Sequence, residues 1–394
     1  EKKMKLHTKA VHAGDRQKLP SAIPSTTPLF TASSYFYADM NDLDKVFAEE
    51  MDGYCYARYD NPTNHALEEQ LTALEGGAGA LATATGMNAL QVAIQAALTD
   101  RRPSIVAASA LYGASVSLLT RVFEPLGVAV RFVDICDLAA TEAAIAEAKP
   151  GCVLMESISN PLLRVGAIDR IAELSKAAGA ALIVDSTFAT PLLMRPLELG
   201  ADLVVHSLTK FLAGHGDVMG GAVVCGAPHL PIVRALGKIT GPGLGPFEAY
   251  LTMRGIKTFP LRMERQCENA CKVARWLADH PRVANVNYPA AASHPDRDTV
   301  ARLLPPNLHG AMVSFDLKDA GRGEVFRFME KFKLIVRGTS LGDVHTLALY
   351  PAMSSHRDLA PRQRQRLGIG DGLIRLSIGI EAAEDILADL AQAF

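Results

Sequence analysis

A lysine and two hydroxyl residues come directly after a short apolar run in the middle of the chain. The run covers residues 203–206, and Ser207, Thr209 and Lys210 follow it. A run of this length indicates a buried parallel strand rather than a helix. Because open α/β sheets bind ligands beyond the carboxyl ends of their strands, these three side chains are expected at a ligand site. A lysine amine condenses with an aldehyde and hydroxyl groups hydrogen-bond a phosphate, so the stretch suits a ligand that carries both groups.

A carboxylate ends a second apolar run, in which Asp185 follows residues 181–184. The chain between Asp185 and Lys210 is long enough for one crossover helix, expected over residues 191–199, between two parallel strands. Pyridoxal phosphate (PLP) needs such a carboxylate beside its ring nitrogen, and it carries an aldehyde and a phosphate. On its own Lys210 would be an ordinary surface lysine, because short motifs match often by chance. The two strand ends together predict a PLP site.

The start of an earlier helix could hold the phosphate. Thr85, Gly86 and Met87 precede an apolar-periodic stretch over residues 88–98, which places the backbone amides of Gly86 and Met87 at a helix N-terminus. The partial positive charge at such an end favours a phosphate group. Taken alone, this is a plain helix start with a glycine turn. Combined with the hydroxyl groups that follow residue 206, it predicts a complete phosphate site.

Two longer stretches around these residues, Val184 to Pro191 and His206 to Asp217, resemble the PLP signature of the Cys/Met metabolism (transsulfuration) enzymes. That family includes cystathionine γ-synthase, cystathionine γ-lyase, methionine γ-lyase and the homoserine-ester sulfhydrylases, and the likeness runs over nearly the whole chain. The resemblance implies an α/β fold of the PLP-dependent transferase type (aspartate aminotransferase-like, fold type I). That fold has a mostly parallel sheet and a smaller C-terminal α/β domain.

The resemblance also implies roles for single residues. Lys210 would bind PLP covalently and later move a proton, Asp185 would keep the ring nitrogen protonated, and Tyr112 would stack on the ring and exchange a proton during elimination. Tyr112 follows the strand expected at residues 104–107, and as a lone feature it would be a core-packing residue. These three are the predicted catalytic residues. The predicted cofactor-binding residues are Lys210, Asp185, Ser207, Thr209, Thr85, Gly86, Met87, Tyr112, Tyr56 and Arg58.

The segment before Asp60 is rich in Pro, Ser, Thr and aromatic residues, with one short helix expected at residues 42–50. It is predicted to be an extended arm that lies on another surface. Near its end Tyr56 and Arg58 are similar to the family's Tyr-x-Arg motif, which reaches into the neighbouring subunit and binds the phosphate of that subunit's PLP. The resemblance therefore implies a homo-oligomer, a tetramer built from dimers that share active sites. Without it, both residues would be arm-packing residues.

An arginine interrupts an apolar stretch in the C-terminal part of the chain, at Arg375. A structural salt bridge is the usual explanation for a charge in an apolar strand. The adjoining stretch, Leu376 to Gly379, resembles the corresponding family motif. The resemblance implies that Arg375 does not form a structural salt bridge but binds the substrate α-carboxylate through two hydrogen bonds. Ser340 would assist it. Asn160 resembles the asparagine of the family's Asn-Pro loop and completes the predicted substrate-binding set.

The expected reaction is elimination or replacement of the γ-substituent of a sulfur-containing or esterified C4 amino acid, as in methionine γ-lyase or cystathionine γ-lyase. Cystathionine γ-synthase and O-acylhomoserine sulfhydrylase remain alternatives. Thr339 and Cys55 stand where cystathionine enzymes often have glutamates that hold the distal amino group. Ala114 stands where methionine γ-lyases commonly have a cysteine, and Ser186 where the family has an asparagine.

A PLP-dependent transaminase and a non-catalytic regulator with the same fold are alternatives from other functional classes. The regulator is disfavoured because Lys210, Asp185, Tyr112 and Arg375 are all present. The transaminase is disfavoured by the match to the transsulfuration motifs. The expected protein is therefore an enzyme of sulfur amino-acid metabolism.

Regular alternation of strands and helices must position these side chains. Asn61 as N-cap and Pro62 at the first position open a helix that Gly76 and Gly77 close. Strand and helix patterns alternate from there to about residue 224, which predicts a mostly parallel sheet with helices on both faces. A Gly/Pro-rich loop marks a boundary, and a long helix and two half-buried strands follow it. Further strands of the sheet are expected over residues 128–134 and 152–156. The loop is expected over residues 237–246, the long helix over 264–279, and the two later strands over 312–317 and 373–378.

The 394 residues and their 49% apolar content are enough for more than one packed domain. We expect an N-terminal arm over residues 1–60, a PLP-binding domain over 61–246 and a C-terminal domain over 247–394. A net charge of −2 argues against a nucleic-acid surface. The six cysteines form no metal-binding spacing, which predicts no metal and reduced thiols. No membrane span or signal peptide is recognised, so a cytoplasmic enzyme acting on a small amino acid is expected.

Overall fold

The computed structural model describes residues 4–14, 24–357 and 361–394. Two pieces of the predicted arm, residues 1–3 and 15–23, lie outside the described residues. The described arm contains two short helices, α1 (Leu6–His12) and α2 (Met40–Phe47). The side chain of Asp39 caps α2 by accepting the N–H of Asn41 at 2.8 Å. The helix expected at residues 42–50 is therefore present. It begins at Met40, earlier than expected, because Asp39 caps it.

A seven-stranded sheet carries the larger of the two hydrophobic cores. Its strands are β1 (Gly79–Thr83), β2 (Ser104–Ala108), β3 (Ala129–Val133), β4 (Cys152–Glu156), β5 (Ala181–Asp185), β6 (Leu203–Ser207) and β7 (Gly221–Cys225). They lie in the order β1-β7-β6-β5-β4-β2-β3. The strands from β6 to β3 are parallel, whereas β7 is antiparallel to both β6 and β1. The mostly parallel sheet expected from the sequence is confirmed, and its parallel strands end at one common edge.

Helices cover this sheet. They are α3 (Pro62–Glu75), α4 (Gly86–Leu98), α5 (Gly113–Leu118), α6 (Leu138–Ala148), α7 (Ile168–Ala177), α8 (Thr190–Leu193), α9 (Leu230–Thr240), α10 (Pro246–Ile256) and α11 (Phe259–Ala278). A π-helical turn (Leu119–Phe123) and 3-10 turns (Glu124–Leu126, Pro196–Leu199) complete the set. Helix α3 begins as expected, with the Asn61 side chain accepting the N–H of Thr63 at 2.9 Å, and ends at Gly76 in the left-handed conformation.

One strand of this part was not predicted, and two local expectations are wrong. The missed strand is β1, which lies between α3 and α4 and pairs with β7, a strand far later in the sequence. The crossover expected as one helix over residues 191–199 is divided into α8 and a 3-10 turn, since Met194 is extended and ends the first helix. The loop expected over residues 237–246 begins only at Gly241, because α9 continues through Gly237.

A five-stranded sheet carries the second core. Its strands are β8 (Val283–Asn287), β9 (Met312–Leu317), β10 (Val336–Arg337), β11 (Leu347–Leu349) and β12 (Leu373–Ser377), in the order β10-β11-β12-β9-β8. The helices of this part are α12 (Arg297–Leu303), α13 (Arg322–Glu330), α14 (Pro361–Arg366) and α15 (Ala383–Ala393), with a 3-10 turn at Pro351–Met353. The expected strands over residues 312–317 and 373–378 are confirmed as β9 and β12, although every residue of β12 is buried rather than half of them.

Helix α11 joins the two cores. Phe259 and Met263 in its first half belong to the core of the large sheet, whereas Val273 and Leu277 in its second half belong to the core of the small sheet. The two sheets lie on opposite sides of residue 246 in the sequence. The boundary between residues 246 and 247 stays a proposal. Among the described residues, no helix is both long enough and apolar enough to cross a lipid bilayer.

Candidate active site

The carboxyl ends of the parallel strands border a cavity of about 540 Å³. Strands β5 and β6 end at one wall, and β12 of the small sheet supplies the opposite wall. The predicted residues that line the cavity are Thr85, Gly86, Met87, Tyr112, Asn160, Asp185, Ser207, Thr209, Lys210 and Arg375. Chain segments that are distant in the sequence therefore meet at one site.

Lys210 lies beyond the end of β6 with its amine inside the cavity. Its Nζ donates a hydrogen bond to Oγ of Ser340 at 3.1 Å, which brings a further predicted residue into the site. Burial, and then the positive charge of Arg375, lower the pKa of the Lys210 amine because both disfavour its charged form. The neutral amine is the form that attacks an aldehyde and accepts a proton.

Asp185 ends β5, the strand that pairs with β6, and lines the same cavity as this lysine. Its Oδ1 accepts hydrogen bonds from the backbone N–H of Thr187 at 3.0 Å and from the Thr187 hydroxyl at 2.6 Å. Burial raises the pKa of Asp185, while those hydrogen bonds and the charge of His206 act in the opposite direction. A cationic partner would stabilise the carboxylate form. A protonated ring nitrogen is such a partner, so the site fits the predicted role.

The N-terminus of α4 forms the floor of the predicted phosphate site. Thr85 caps the helix by accepting the N–H of Asn88 on its Oγ1 at 3.1 Å. A Cβ atom at Gly86 would lie 2.9 Å from the Cβ of Ser207, and one at Gly221 would overlap the carbonyl oxygen of Thr85. Glycine at these two positions therefore allows the start of α4 to approach the end of β6 and the start of β7 closely.

The donors around this floor match a phosphate group. The amides of Gly86 and Met87 belong to the first turn of α4, which has no helical acceptors for them. The hydroxyl group of Ser207 faces the same cavity. The Thr209 hydroxyl exchanges hydrogen bonds with Gly220, at 3.0 and 3.2 Å, and it would have to turn its hydrogen to reach a phosphate. Together with the lysine and the carboxyl group, this donor set fits PLP.

Arg375 is a buried cation at the centre of β12, with 2% of its surface exposed. It donates to the side-chain oxygen of Asn160 at 3.0 Å and to the backbone oxygen of Ser340 at 3.2 Å, and its Nε has no partner among the described residues. Burial lowers the pKa of Arg375 to about 10. The alternative of a structural salt bridge is not what the described residues show, since no carboxylate pairs with it there. An anion in the cavity would supply the missing charge.

Tyr56 and Arg58 do not reach the cavity of their own chain. Both are exposed on the arm, and the guanidinium carbon of Arg58 lies 5.4 Å from the ring centroid of Tyr56. Arg58 also donates a hydrogen bond to the backbone oxygen of Lys238. Their contact with a neighbouring subunit stays a prediction.

Sequence reasoning gave no role to several residues that line the cavity, among them Glu156 and Thr187. Glu156 ends β4 as Asp185 ends β5, so the same rule about carboxylates at strand ends could have found it. Thr187 is a link between neighbouring strands, because it donates to Asp185 and accepts the backbone N–H of Ser207 at 2.9 Å. A hydroxyl group in a loop gives no comparable signal in the sequence.

The positions that differ from the better-known enzymes are not all at the cavity. Thr339 lines it and is exposed. Cys55 lies on the arm and Ala114 in α5, and neither is among the residues that line the cavity in its own chain. Ser186 is fully buried, and its hydroxyl donates to that of Ser157 at 3.3 Å. Residue 339 is therefore the position among these that can contact a substrate within one subunit.

One group of potential metal ligands exists among the described residues, at Asp60, His65 and Glu68. Glu68 already accepts the backbone N–H of Ala82 at 2.8 Å and pairs with Arg234 at 2.5 Å. A guanidinium group beside the carboxylate repels a metal cation. The group is an ion-pair network, and the prediction that the protein uses no metal stays a prediction.

Comparison with known proteins gives a consistent result. A sequence profile of the Cys/Met metabolism PLP-dependent enzymes matches residues 7–394. The chain is 40% identical over 391 residues to L-methionine gamma-lyase of Pseudomonas putida, covering 98% of this chain and 96% of that protein. It is 39% identical over 387 residues to O-succinylhomoserine sulfhydrylase of Pseudomonas aeruginosa, covering 98% and 94%.

A solved structure shares the fold over the same extent. Cystathionine gamma synthase of Xanthomonas oryzae, in complex with aminoacrylate and cysteine, superposes with a TM-score of 0.91 at 36% sequence identity. The match covers 99% of this chain and 97% of that chain. The fold type I expectation is confirmed.

Proposed function

The chain belongs to the Cys/Met metabolism PLP-dependent enzymes, and on that premise we propose that it catalyses γ-elimination or γ-replacement on a sulfur-containing or esterified C4 amino acid. A carbon–sulfur lyase acting on methionine or cystathionine is the leading form. Cystathionine γ-synthase or O-acylhomoserine sulfhydrylase activity is the alternative. Relatives of similar sequence identity include a cystathionine gamma-synthase and an O-succinylhomoserine sulfhydrylase. The observation that supports this function is one cavity that holds an amine, a carboxyl group and a buried arginine, which has no carboxylate partner among the described residues.

Four groups of residues would hold PLP. The phosphate would be bound by the amides of Gly86 and Met87 and the hydroxyls of Ser207 and Thr209. Asp185 would pair with the ring nitrogen, Tyr112 would stack on the ring face, and Lys210 would bond to the aldehyde carbon. When bound, PLP supplies a carbonyl carbon that bonds to amines and a ring that accepts electrons. The residues around it must then bind the substrate and move protons.

Two side chains that line the cavity would carry out the proton transfers. The neutral amine of Lys210 would take the proton from Cα of the substrate, since its lowered pKa makes it available as a base. The hydroxyl group of Tyr112 would give a proton to the departing γ-substituent. Arg375 would bind the α-carboxylate through its guanidinium group, with Asn160 and Ser340 fixing its orientation.

We also propose that the enzyme is a cytoplasmic homotetramer built from dimers that share active sites. Apolar side chains of the arm support a covering partner, because Phe36 is 94% exposed and Met40 is 71% exposed. Tyr56 and Arg58 would bind the phosphate in the neighbouring subunit. All six cysteines are free, which is typical of a reducing compartment.

Mixing two inactive variants tests the shared site. R58A lacks the arginine that would bind the phosphate in the partner's site, and K210A lacks the lysine of its own site. Each homo-oligomer is therefore expected to be nearly inactive. A mixed dimer has one site with both residues intact, and random exchange should restore about one quarter of wild-type activity. Activity of purified variants before and after subunit exchange measures this. No recovery, in a mixture shown by mass spectrometry to contain mixed dimers, would place the phosphate site within one chain.

The side chain at position 339 is expected to control the choice of leaving group. A threonine there offers no carboxylate to the distal ammonium of cystathionine, so methionine, homocysteine or an acylated homoserine should be used at least as well. T339E should shift the ratio of kcat/KM values toward cystathionine. A charge-assisted hydrogen bond contributes about 1 to 3 kcal/mol, and the exposure of Thr339 places the shift near the lower end.

T339Q is the matched control, since it has the same size as T339E without the charge. Steady-state kinetics with cystathionine and methionine measure both variants. A strong preference of the wild-type enzyme for cystathionine, unchanged in T339E, would identify a cystathionine enzyme instead.

A short assay separates the enzyme classes. The purified protein should show an absorbance band at about 420 nm that borohydride removes, as expected for a carbonyl cofactor bonded to a lysine. It should also release a thiol from a sulfur amino acid. A band without thiol release, together with transfer of the amino group to a keto acid, would indicate a transaminase.

A further inference from the structure

Glu156 is a buried acid in the cavity to which the proposed roles give no part. It ends β4, is 9% exposed, and pairs in the strand register with Asp185 of β5. Burial and the charge of Asp185 both raise the pKa of Glu156. A second acid beside the first is therefore electrostatically costly, and simple packing would be served better by an apolar side chain.

Both oxygens of this carboxyl group are engaged by backbone amides. Oε1 accepts the N–H of Tyr112 at 2.6 Å, and Oε2 accepts the N–H of Asn160 at 3.1 Å. Tyr112 lies beyond β2 and Asn160 beyond β4, so one side chain fixes two separate loops at the edge of the sheet.

The second of these loops leads to the buried arginine. The side-chain oxygen of Asn160 accepts a hydrogen bond from Arg375 at 3.0 Å. Glu156 thus orients Tyr112 directly and Arg375 through Asn160. Its own side chain needs no contact with a substrate to affect both.

We propose that Glu156 is a positioning residue whose two carboxyl oxygens set the tyrosine over the cofactor and the asparagine–arginine pair against the substrate α-carboxylate. This assignment rests on the proposed roles of Tyr112 and Arg375. Glutamine cannot replace it, because an amide has one acceptor oxygen and its NH₂ group would face a backbone donor. Aspartate keeps both oxygens but is one methylene shorter, so it should hold one loop at a time.

The experiment compares E156Q and E156D with the wild-type holoenzyme. S157A is the matched control, since Ser157 is the next residue, is fully buried, and has a hydroxyl that accepts a hydrogen bond from Ser186. Four readouts are taken: kcat, KM, the circular dichroism of bound PLP, and the dissociation constant of L-norleucine, which has an α-carboxylate but no γ-leaving group. Thermal unfolding is recorded in parallel.

E156Q is expected to lower kcat by about 10² because small misplacements of reacting groups have effects of that size. It should also raise KM and the norleucine dissociation constant together, and change the cofactor dichroism. E156D should give smaller changes in the same readouts, and S157A should leave all four as in the wild type. A lowered melting temperature with unchanged kcat, KM, dichroism and norleucine binding would make Glu156 a purely structural residue.

E156D decides the question if E156Q does not fold. Wild-type kcat, KM and norleucine binding in folded E156D would overturn the positioning role. Norleucine binding and dichroism do not depend on which reaction the enzyme catalyses. An enzyme that turns over no sulfur amino acid would contradict the proposed function, and the same two readouts would still test Glu156.

Discussion

Replacing Lys210 with alanine is expected to lower turnover by about 10³-fold or more, because it removes both the amine that bonds to PLP and the base in the cavity. The absorbance band of the lysine-bound cofactor should be lost at the same time. The fold should persist, since the side chain lies at a sheet edge and its amine makes one hydrogen bond to the described residues, with Ser340. Absorbance spectra, steady-state rates and thermal unfolding of K210A measure these effects.

K210R is the matched control for charge. Arginine keeps a cation in the cavity but cannot form the bond to the aldehyde and does not act as a base near neutral pH. Both variants should therefore be inactive and should yield no lysine-bound cofactor after borohydride treatment. Normal turnover in K210A, with a borohydride-stable adduct on another lysine, would assign the cofactor to a different site.

Replacing Asp185 with alanine is expected to have the second-largest effect. Removing one partner of a buried ion pair costs about 3 to 5 kcal/mol, so the protonated ring nitrogen would be strongly destabilised. PLP should bind more weakly and turnover should fall by about 10² or more, since 1.4 kcal/mol corresponds to a factor of ten. Cofactor titration of the apoenzyme and steady-state rates measure the two effects.

D185N separates charge from shape. Asparagine has nearly the same size and can still accept the hydrogen bonds from Thr187, but it carries no charge. It should keep the stability of the apoenzyme and lose the activity as D185A does. Near-normal turnover in D185N would show that the ring nitrogen does not depend on this carboxylate.

Several parts of the site were predictable because of a simple rule about sheet edges. Asp185 and Ser207 end neighbouring parallel strands, and short apolar runs followed by polar residues mark such ends. The start of α4 was also predictable, from a threonine and a glycine before a periodic stretch. These signals are local, so one sequence contains them.

The remaining features depend on contacts between distant parts of the chain. Strand β1 is antiparallel to β7, and its pairing follows from a partner that lies far later in the sequence. Arg375 has no carboxylate partner in the part of the chain that the structure describes, and this can be seen only when β12 faces the large sheet across the cavity. The place of Glu156 at a strand end was predictable, but its contacts were not, because the two backbone N–H groups that it accepts lie on loops that follow different strands.

Helix α11 explains why the boundary between the two parts of the chain is hard to place. It was expected over residues 264–279, but it begins at Phe259 and packs on both cores. A pattern of apolar residues shows that a helix is amphipathic and does not show which core receives each half. The proposed boundary at residue 246 leaves the first half of this helix on the core of the other domain.

A panel of substrates with product identification tests the central claim most directly. Purified enzyme with PLP is incubated with methionine, homocysteine, cystathionine and acylated homoserines, with and without cysteine, and 2-oxobutanoate, thiol and cystathionine are quantified. Elimination at the γ-carbon predicts equal amounts of 2-oxobutanoate and thiol from methionine, at a kcat/KM at least comparable to that for cystathionine. Absence of 2-oxobutanoate, thiol and cystathionine with every substrate, from enzyme shown to contain lysine-bound PLP, would contradict γ-chemistry on sulfur amino acids.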